Sequence, residues 1–334
     1  MDYRTDSPEV LLEFLFYHET IKGHSKKTVD EYYLDLRIFF RFMKVRKGFS
    51  NCHDELDEIS IADIDIDFIN SISILDIYEY LSFLARDRAK HNNSQHTEYG
   101  LIASTRARKI SVIRTFFKFL TQKSKYKDVV KENPAADLDS PKIRKALPRF
   151  LSLEESVDLL DNVDGTHKAR DFCILTVFLT CGLRISELAN LDLKDLQADS
   201  IRVLGKGGKE RTVYINDACA AAINDYLDVR KNIDAVDKKA LFLSNRRTRI
   251  STSTIHNLVK KHISVAGLDS SRFSAHKLRH TAATLMLQHG VDVRTLQELL
   301  GHEQLNTTQI YTHVENTGLR EAARASPLSG YKKK

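Results

Sequence analysis

Apolar residues recur at three- and four-residue steps along most of this chain, the spacing of helices packed by one face. In 8–21, Val10, Leu11, Phe14, Leu15 and Tyr17 form such a stripe. Ser25 stands as an N-cap for the next helix, whose face carries Tyr32, Tyr33, Leu36, Phe39, Phe40 and Met43. A third helix is expected at 74–86 and a fourth at 104–120, where Ile110, Ile113, Phe116, Phe117 and Leu120 align. Ser152-Leu-Glu-Glu155 is a capping box ahead of an apolar run and marks a further helix start. The segment 171–181 is apolar almost all round, which predicts a buried helix. The pattern reads as strand only at 201–204 and 211–215, with Gly205, Gly207 and Gly208 between them as a hairpin turn. Helices resume at about 217–231, 253–265, 276–288, 292–299, 305–311 and 316–324. The expected fold class is mainly α: a small four-helix domain, then a mixed, mostly helical domain with a small antiparallel β-sheet.

A length of 334 residues suits two domains. The stretch 121–149 holds Pro134, Pro141, Pro148 and eight Lys/Arg, which predicts a stiff basic linker. The expected division is 1–125, a linker at 126–149, and 150–334. The formal charge of +6 is unevenly spread: residues 1–85 carry a net −8, residues 86–149 a net +10 and residues 150–334 a net +4. A basic middle segment suits a phosphate backbone. On the fourth helix, Arg106, Arg108, Lys109, Arg114 and Lys118 read as the polar face and as DNA contacts. The run 54–79 has nine carboxylates and no Lys or Arg, and is expected to face solvent away from any DNA. Asp63-Ile-Asp-Ile-Asp67 resembles the start of a calcium loop, but Phe68 stands where that loop needs Gly and Ile74 where it needs Glu, so no metal site is expected. There is no run of 18 apolar residues, which excludes a membrane-spanning helix. The charged N-terminus lacks an apolar stretch, so no secretory signal is expected. Cys52, Cys173, Cys181 and Cys219 form no Cys-x-x-Cys pair and read as reduced thiols of a cytoplasmic protein.

Candidate chemistry lies in four short segments. Gly205-Lys-Gly-Gly-Lys-Glu-Arg211 is glycine-rich and basic but is no phosphate-binding P-loop, since no helix follows. Taken alone it is a solvated turn, yet a lysine on a tight tip can enter a groove. In Cys181-Gly-Leu-Arg184-Ile-Ser-Glu-Leu188, Gly182 ends the apolar helix, and Arg184 read alone is a surface arginine paired with Glu187. His276-Lys-Leu-Arg279-His280 places His276 and Arg279 on one helix face. Gly301-His302 and Gln309-Ile-Tyr311-Thr-His313 follow.

Together these motifs resemble the tyrosine site-specific recombinases, near the Xer branch, over nearly the whole chain. The match is carried by GLRISEL, the GKGGKER hairpin, HKLRH, LLGH and Tyr311. The resemblance implies a core-binding, SAM-like helical domain and a catalytic domain closing as a C-shaped clamp around duplex DNA. It assigns Arg184, Lys206, His276, Arg279 and His302 to the catalytic set, with Tyr311 as nucleophile. Lys209 and Arg211 then read as phosphate contacts. The implied reaction breaks and rejoins DNA strands through a 3′-phosphotyrosine and a Holliday junction, with no metal, ATP or other cofactor. The implied partners are an inverted-repeat DNA site and three further copies, four protomers on two sites, joined through a C-terminal helix at 315–325. A second recombinase or an activating protein is compatible with the same reading. The Xer-like motif block points to resolution of chromosome dimers at a dif-like site during cell division. Integration or excision of a mobile element, a type IB topoisomerase, and a DNA-binding module without catalysis are the competing readings.

Overall fold

The structure is a computed structural model that describes residues 3, 5–50, 56–88, 99–130, 132–142, 149–205 and 208–301. The chain divides into two compact units, Met1–Lys145 and Ala146–Lys334.

The first unit is helical. Helix α1 (Glu9–Phe16) runs on into one π-helical turn, Tyr17–Ile21. Then follow α2 (Lys26–Arg46), α3 (Ile66–Asn70), α4 (Ile74–Arg86) and α5 (Ala103–Gln122). Ser25 Oγ accepts the Thr28 amide of α2 at 3.3 Å, the cap its position implied. Ser73 and Asp76 form a reciprocal capping box at the start of α4. The core is aromatic. Phe14, Phe39, Phe40, Tyr80, Phe116 and Phe117 are fully buried, and Phe116 meets Phe14 and Phe40 edge-on, each at 5.4 Å. Such pairs add to the large apolar area each ring removes from water.

Two expectations change here. The acidic run faces solvent at Asp57, Glu58, Asp63, Asp65 and Asp67 as expected, but some of its carboxylates also hold the fold. Asp65 caps α3, and Asp63 pairs with Lys44 Nζ at 2.7 Å. Asp76 is buried and pairs with Lys47 Nζ at 2.7 Å. These carboxylates satisfy helix-terminal amides and pair with a buried cation, Lys44, and a half-buried one, Lys47. The stretch read as a linker is packed for part of its length: Val130, Ala135 and Leu138 are buried in this same aromatic core.

The second unit holds α6 (Leu153–Asp161), α7 (Lys168–Cys181), α8 (Ile185–Ala189), β1 (Ser200–Leu204), β2 (Glu210–Tyr214), α9 (Asp217–Arg230), α10 (Thr252–Val265), α11 (Ala275–Gln288) and α12 (Val293–Leu300). The Ser152–Glu155 capping box opens α6 as its spacing predicted. Helix α7 is the axis of the unit. Cys173, Ile174, Leu175, Val177 and Phe178 are all buried, and α7 packs on both α9 and α11. Among the described residues the sheet is one antiparallel pair, in register from Ser200↔Tyr214 to Leu204↔Glu210. Its buried face presents Ile201, Val203 and Val213 to the core. The fold class is therefore the expected one, mainly α with a small antiparallel sheet. The helices expected at 305–311 and 316–324 lie outside the described residues. Cys173, Cys181 and Cys219 are buried free thiols. Among the described residues no helix is long and apolar enough to cross a membrane, and no cluster of His, Cys, Asp and Glu could hold a metal ion.

Candidate active site

The site begins where α7 stops. Gly182 adopts a left-handed conformation, φ 60°, and turns the chain. A Cβ there would lie 2.9 Å from Leu300 Cδ2, so a side chain would have to push the end of Leu300 aside as well as take up the left-handed backbone that favours glycine. Leu183 is buried, and Arg184 caps the short helix α8. The Arg184 amide donates to Glu187 Oε2 at 2.8 Å, and Arg184 Nη1 donates to Glu187 Oε1 at 2.6 Å. The local pair suggested by the three-residue spacing is thus present.

Glu187 holds more than that pair. Arg211, on β2, donates to both carboxylate oxygens, Nη1 to Oε1 and Nη2 to Oε2, each at 2.9 Å. Arg279, on α11, brings Nη1 to 3.8 Å from Oε2. Burial alone would push this carboxyl up. Hydrogen bonds from Arg211 and from the Arg184 backbone and side chain override it and hold the carboxyl down at about 2.

The same three arginines meet the C-terminus of α12. Its last carbonyls have no partner within the helix and lie at the negative end of its dipole. Arg211 Nε donates to Leu299 O at 3.1 Å, Arg279 Nη2 to Leu300 O at 2.7 Å, and Arg184 Nη2 to Gly301 O at 2.9 Å. Arg279 Nη1 also caps α7 through Gly182 O at 2.8 Å. Gly301 is left-handed, φ 64°, and a Cβ there would sit 3.1–3.2 Å from the Arg211 guanidinium. This explains the glycine of the LLGH motif: it closes α12 and leaves room for Arg211.

The arginines differ in exposure. The Arg184 side chain is 35% exposed, while those of Arg211 and Arg279 are 15% and 3% exposed. His276 lies at the surface on the first turn of α11, with its Nε2 3.2 Å from Nε2 of His280 one turn later. Its pKa is lowered from the ordinary histidine value, first by desolvation, then by the positive charges of Arg279, Lys277 and Arg184. It therefore presents a neutral ring beside a cationic cluster. Lys206, His302 and Tyr311 lie outside the described residues; by sequence, Lys206 falls between β1 and β2 and His302 directly follows Gly301.

The residues marked as DNA contacts are placed unevenly. Lys109 does not join the polar face of α5. It is buried, with Nζ 2.7 Å from Asp35 Oδ1. Arg108 is exposed but also grips Asp35, at 2.6 and 3.1 Å. Asp35 sits inside α2 and needs cationic partners to be buried at all. Lys118 is exposed, Arg106 is half-buried, and Arg114 is half-buried with Nη1 3.3 Å from Ser140 Oγ. Arg114 and Lys118, with Lys22 and Tyr17, line a cavity of about 470 Å³ beside the π-helical turn. Lys209 is exposed on the hairpin. Arg211, read as a phosphate contact, turns its fork inward onto Glu187 and Leu299. Glu187 is the residue that reasoning from sequence left as a mere partner of Arg184. The arginine–x–x–glutamate spacing of a helix cap was the available signal.

Three guanidinium groups gather around one carboxylate and the end of one helix in a mainly α fold, with His276 on the first turn of α11 beside Arg279 and Arg184. The Phage integrase family matches residues 149–317. Tyrosine recombinase XerC of Caldanaerobacter subterraneus is 49% identical over 323 residues, covering 96% of this chain and 88% of the relative. Tyrosine recombinase XerC of Natranaerobius thermophilus is 38% identical over 321 residues, covering 93% and 96%. Among solved structures, the XerH site-specific recombinase bound to difH substrate in a pre-cleavage complex shares the fold, with a TM-score of 0.66 at 22% identity over 94% of this chain and 84% of that one. The chain belongs to the phage integrase family of tyrosine recombinases.

Proposed function

We propose that this recombinase acts at a dif-like inverted repeat to resolve chromosome dimers, and that Arg184, Lys206, His276, Arg279, His302 and Tyr311 carry its chemistry. The observation that supports this most is the convergence of Arg184, Arg279 and Arg211 on Glu187 and on the carbonyls that precede His302. The relatives' names, XerC over almost the full chain, support the biological role.

Attack on a phosphodiester spreads negative charge over the non-bridging oxygens. Arg184 and Arg279 supply delocalised cations for that charge, and His302 a further N–H donor, so stabilisation is built before the reaction begins. Tyr311 Oη attacks phosphorus. Its proton goes to His276, whose lowered pKa keeps the ring a neutral acceptor. The bond from phosphorus to the 5′-oxygen breaks, and Lys206 Nζ gives that oxygen its proton. The product is a 3′-phosphotyrosine and a free 5′-hydroxyl. The phosphodiester energy is kept in the new ester, so the 5′-hydroxyl of a second strand can reverse the step without ATP. Arg106, Arg114, Lys118 and Lys209 would hold the DNA backbone and set its register.

The proton-donor role has a direct test. Lys206→Ala should slow cleavage of ordinary DNA by on the order of 10²- to 10⁴-fold. A 5′-bridging phosphorothiolate should restore the rate, because a thiolate leaves without a proton. No rescue would move the acid elsewhere, Lys209 first. Four protomers on two sites would assemble through residues 315–325, and the reaction would take place in the cytoplasm with the chromosome. Deleting 315–334 should therefore abolish synapsis and strand exchange. Unchanged strand exchange would remove that segment from the assembly.

A further inference from the structure

Arg211 enters the site from the β-hairpin and not from the helices. It pairs with Val203 across the ladder, next to the final pair Leu204↔Glu210. The loop beyond is closed by Gly205 N donating to Lys209 O at 2.7 Å. From there the Arg211 side chain reaches inward. Its two Nη atoms take both oxygens of Glu187, and its Nε takes Leu299 O. Gly301 makes room for the guanidinium: a Cβ there would lie 3.1 Å from its Nη1, whereas one at Gly205 would sit in ordinary contact at 3.7 Å. A planar fork held by a carboxylate and a helix-terminal carbonyl, in space that a side chain at Gly301 would crowd, is a built joint between the hairpin, α8 and α12.

We propose that Arg211 is a positioning residue, fixing the hairpin against Glu187 and the end of α12 so that the hairpin loop meets the scissile phosphate in register. The proposal rests on the reading of Lys206 as proton donor, since Lys206 belongs to that loop by sequence. The effect runs through the hairpin more than through the other arginines for a physical reason. Without Arg211, Glu187 still has the Arg184 amide and Nη1. The carbonyls of Leu300 and Gly301 still have Arg279 and Arg184. The hairpin loses its bidentate tie to the site. Lysine, a point donor on a flexible stem, can make one of these contacts but not the parallel pair.

The test compares full-length wild type, Arg211→Lys and Lys206→Ala in single-turnover cleavage of a nicked site, with ordinary DNA and with the 5′-bridging phosphorothiolate. DNA affinity and thermal melts are measured alongside. Arg211→Lys should cleave ordinary DNA on the order of 100-fold more slowly, the cost of a misplaced catalytic group. Its DNA affinity should be unchanged, and the sulfur substrate should close most of the gap, as for Lys206→Ala. If Arg211→Lys melts early, Arg211→Gln, which keeps a donor toward Glu187 without the charge, should show the same rescue. An equal defect on both substrates, with Lys206→Ala rescued, would overturn the proposal and place Arg211 with the arginine clamp. A rate loss wholly explained by weaker DNA binding, or wild-type cleavage, would overturn it as well. If Lys206→Ala is itself not rescued, the proton-donor reading fails and this proposal falls with it.

Discussion

Tyr311→Phe is expected to bind DNA as well as wild type and to form no SDS-resistant protein–DNA adduct. The change removes one oxygen and keeps the ring, so packing and charge are almost unaltered. No other residue proposed for the site is a nucleophile that could leave a stable ester on a 3′-phosphate. Arginines hold the phosphate but cannot attack it, and a histidine phosphoramidate would hydrolyse in acid where a tyrosine ester survives. The loss should therefore be complete within detection and not partial. Gel-shift affinity and denaturing-gel adduct yield, measured on the same nicked duplex, check it. An adduct that persists in Tyr311→Phe would show that a different residue is the nucleophile.

Glu187→Gln carries the second large effect, on stability as well as catalysis. In wild type one buried carboxylate offsets three guanidinium groups. Glutamine keeps the volume but leaves those cations uncompensated in a low-dielectric setting, and breaking a buried ion pair from one side typically costs about 3–5 kcal/mol. For a unit of this size that is a fall in Tm on the order of 10 °C at neutral pH. The pH dependence has a definite sign. The folded carboxyl titrates at about 2, below the ordinary glutamate value of about 4.3. Its contribution is thus fully present above that ordinary value and is lost as pH falls toward the folded one. The difference in Tm between wild type and Glu187→Gln should be largest at neutral pH and shrink as the buffer is taken below pH about 4. Cleavage should fall with it, because Arg184 and Arg279 lose the anchor that sets their distance from α12. Wild-type melting and wild-type cleavage in this variant would show that Glu187 neither holds the arginines nor supports the fold.

The sequence made the regular elements legible and the contacts between them much less so. Helix α4, expected at about 74–86, is found at Ile74–Arg86, and its Ser73–Asp76 capping box is a local signal that expectation did not use. Helix α3 was not expected, because five residues are too few for a period to show. Most of the acidic run faces solvent as expected, but buried Asp76 was missed for the same reason that Lys109 was. Local pattern separates polar from apolar residues, but it does not show that Asp35 on another helix draws Lys109 inward, or that Lys44 and Lys47 wait for Asp63 and Asp76. The family motifs named Arg184 and Arg279 as site residues, and the structure brings both to Glu187 and the end of α12. Glu187 itself was visible only as a three-residue spacing. Its longer ties, to Arg211 24 residues away and to Arg279 on α11, exist only in the folded chain. The role of Gly301 was hidden similarly, since the guanidinium that fills its missing side chain comes from β2.

Covalent complexes can be trapped on chromosomal DNA of the source organism, fragmented and nicked so that the released fragment with the free 5′-hydroxyl diffuses away. SDS-resistant complexes of wild type and Tyr311→Phe would be recovered and the DNA ends joined to protein sequenced. A tyrosine recombinase acting at a dif-like site predicts ends clustered at one inverted repeat, each attached through its 3′-phosphate and absent with Tyr311→Phe. Ends scattered over unrelated sequences would contradict it and point to a topoisomerase-like relaxing activity.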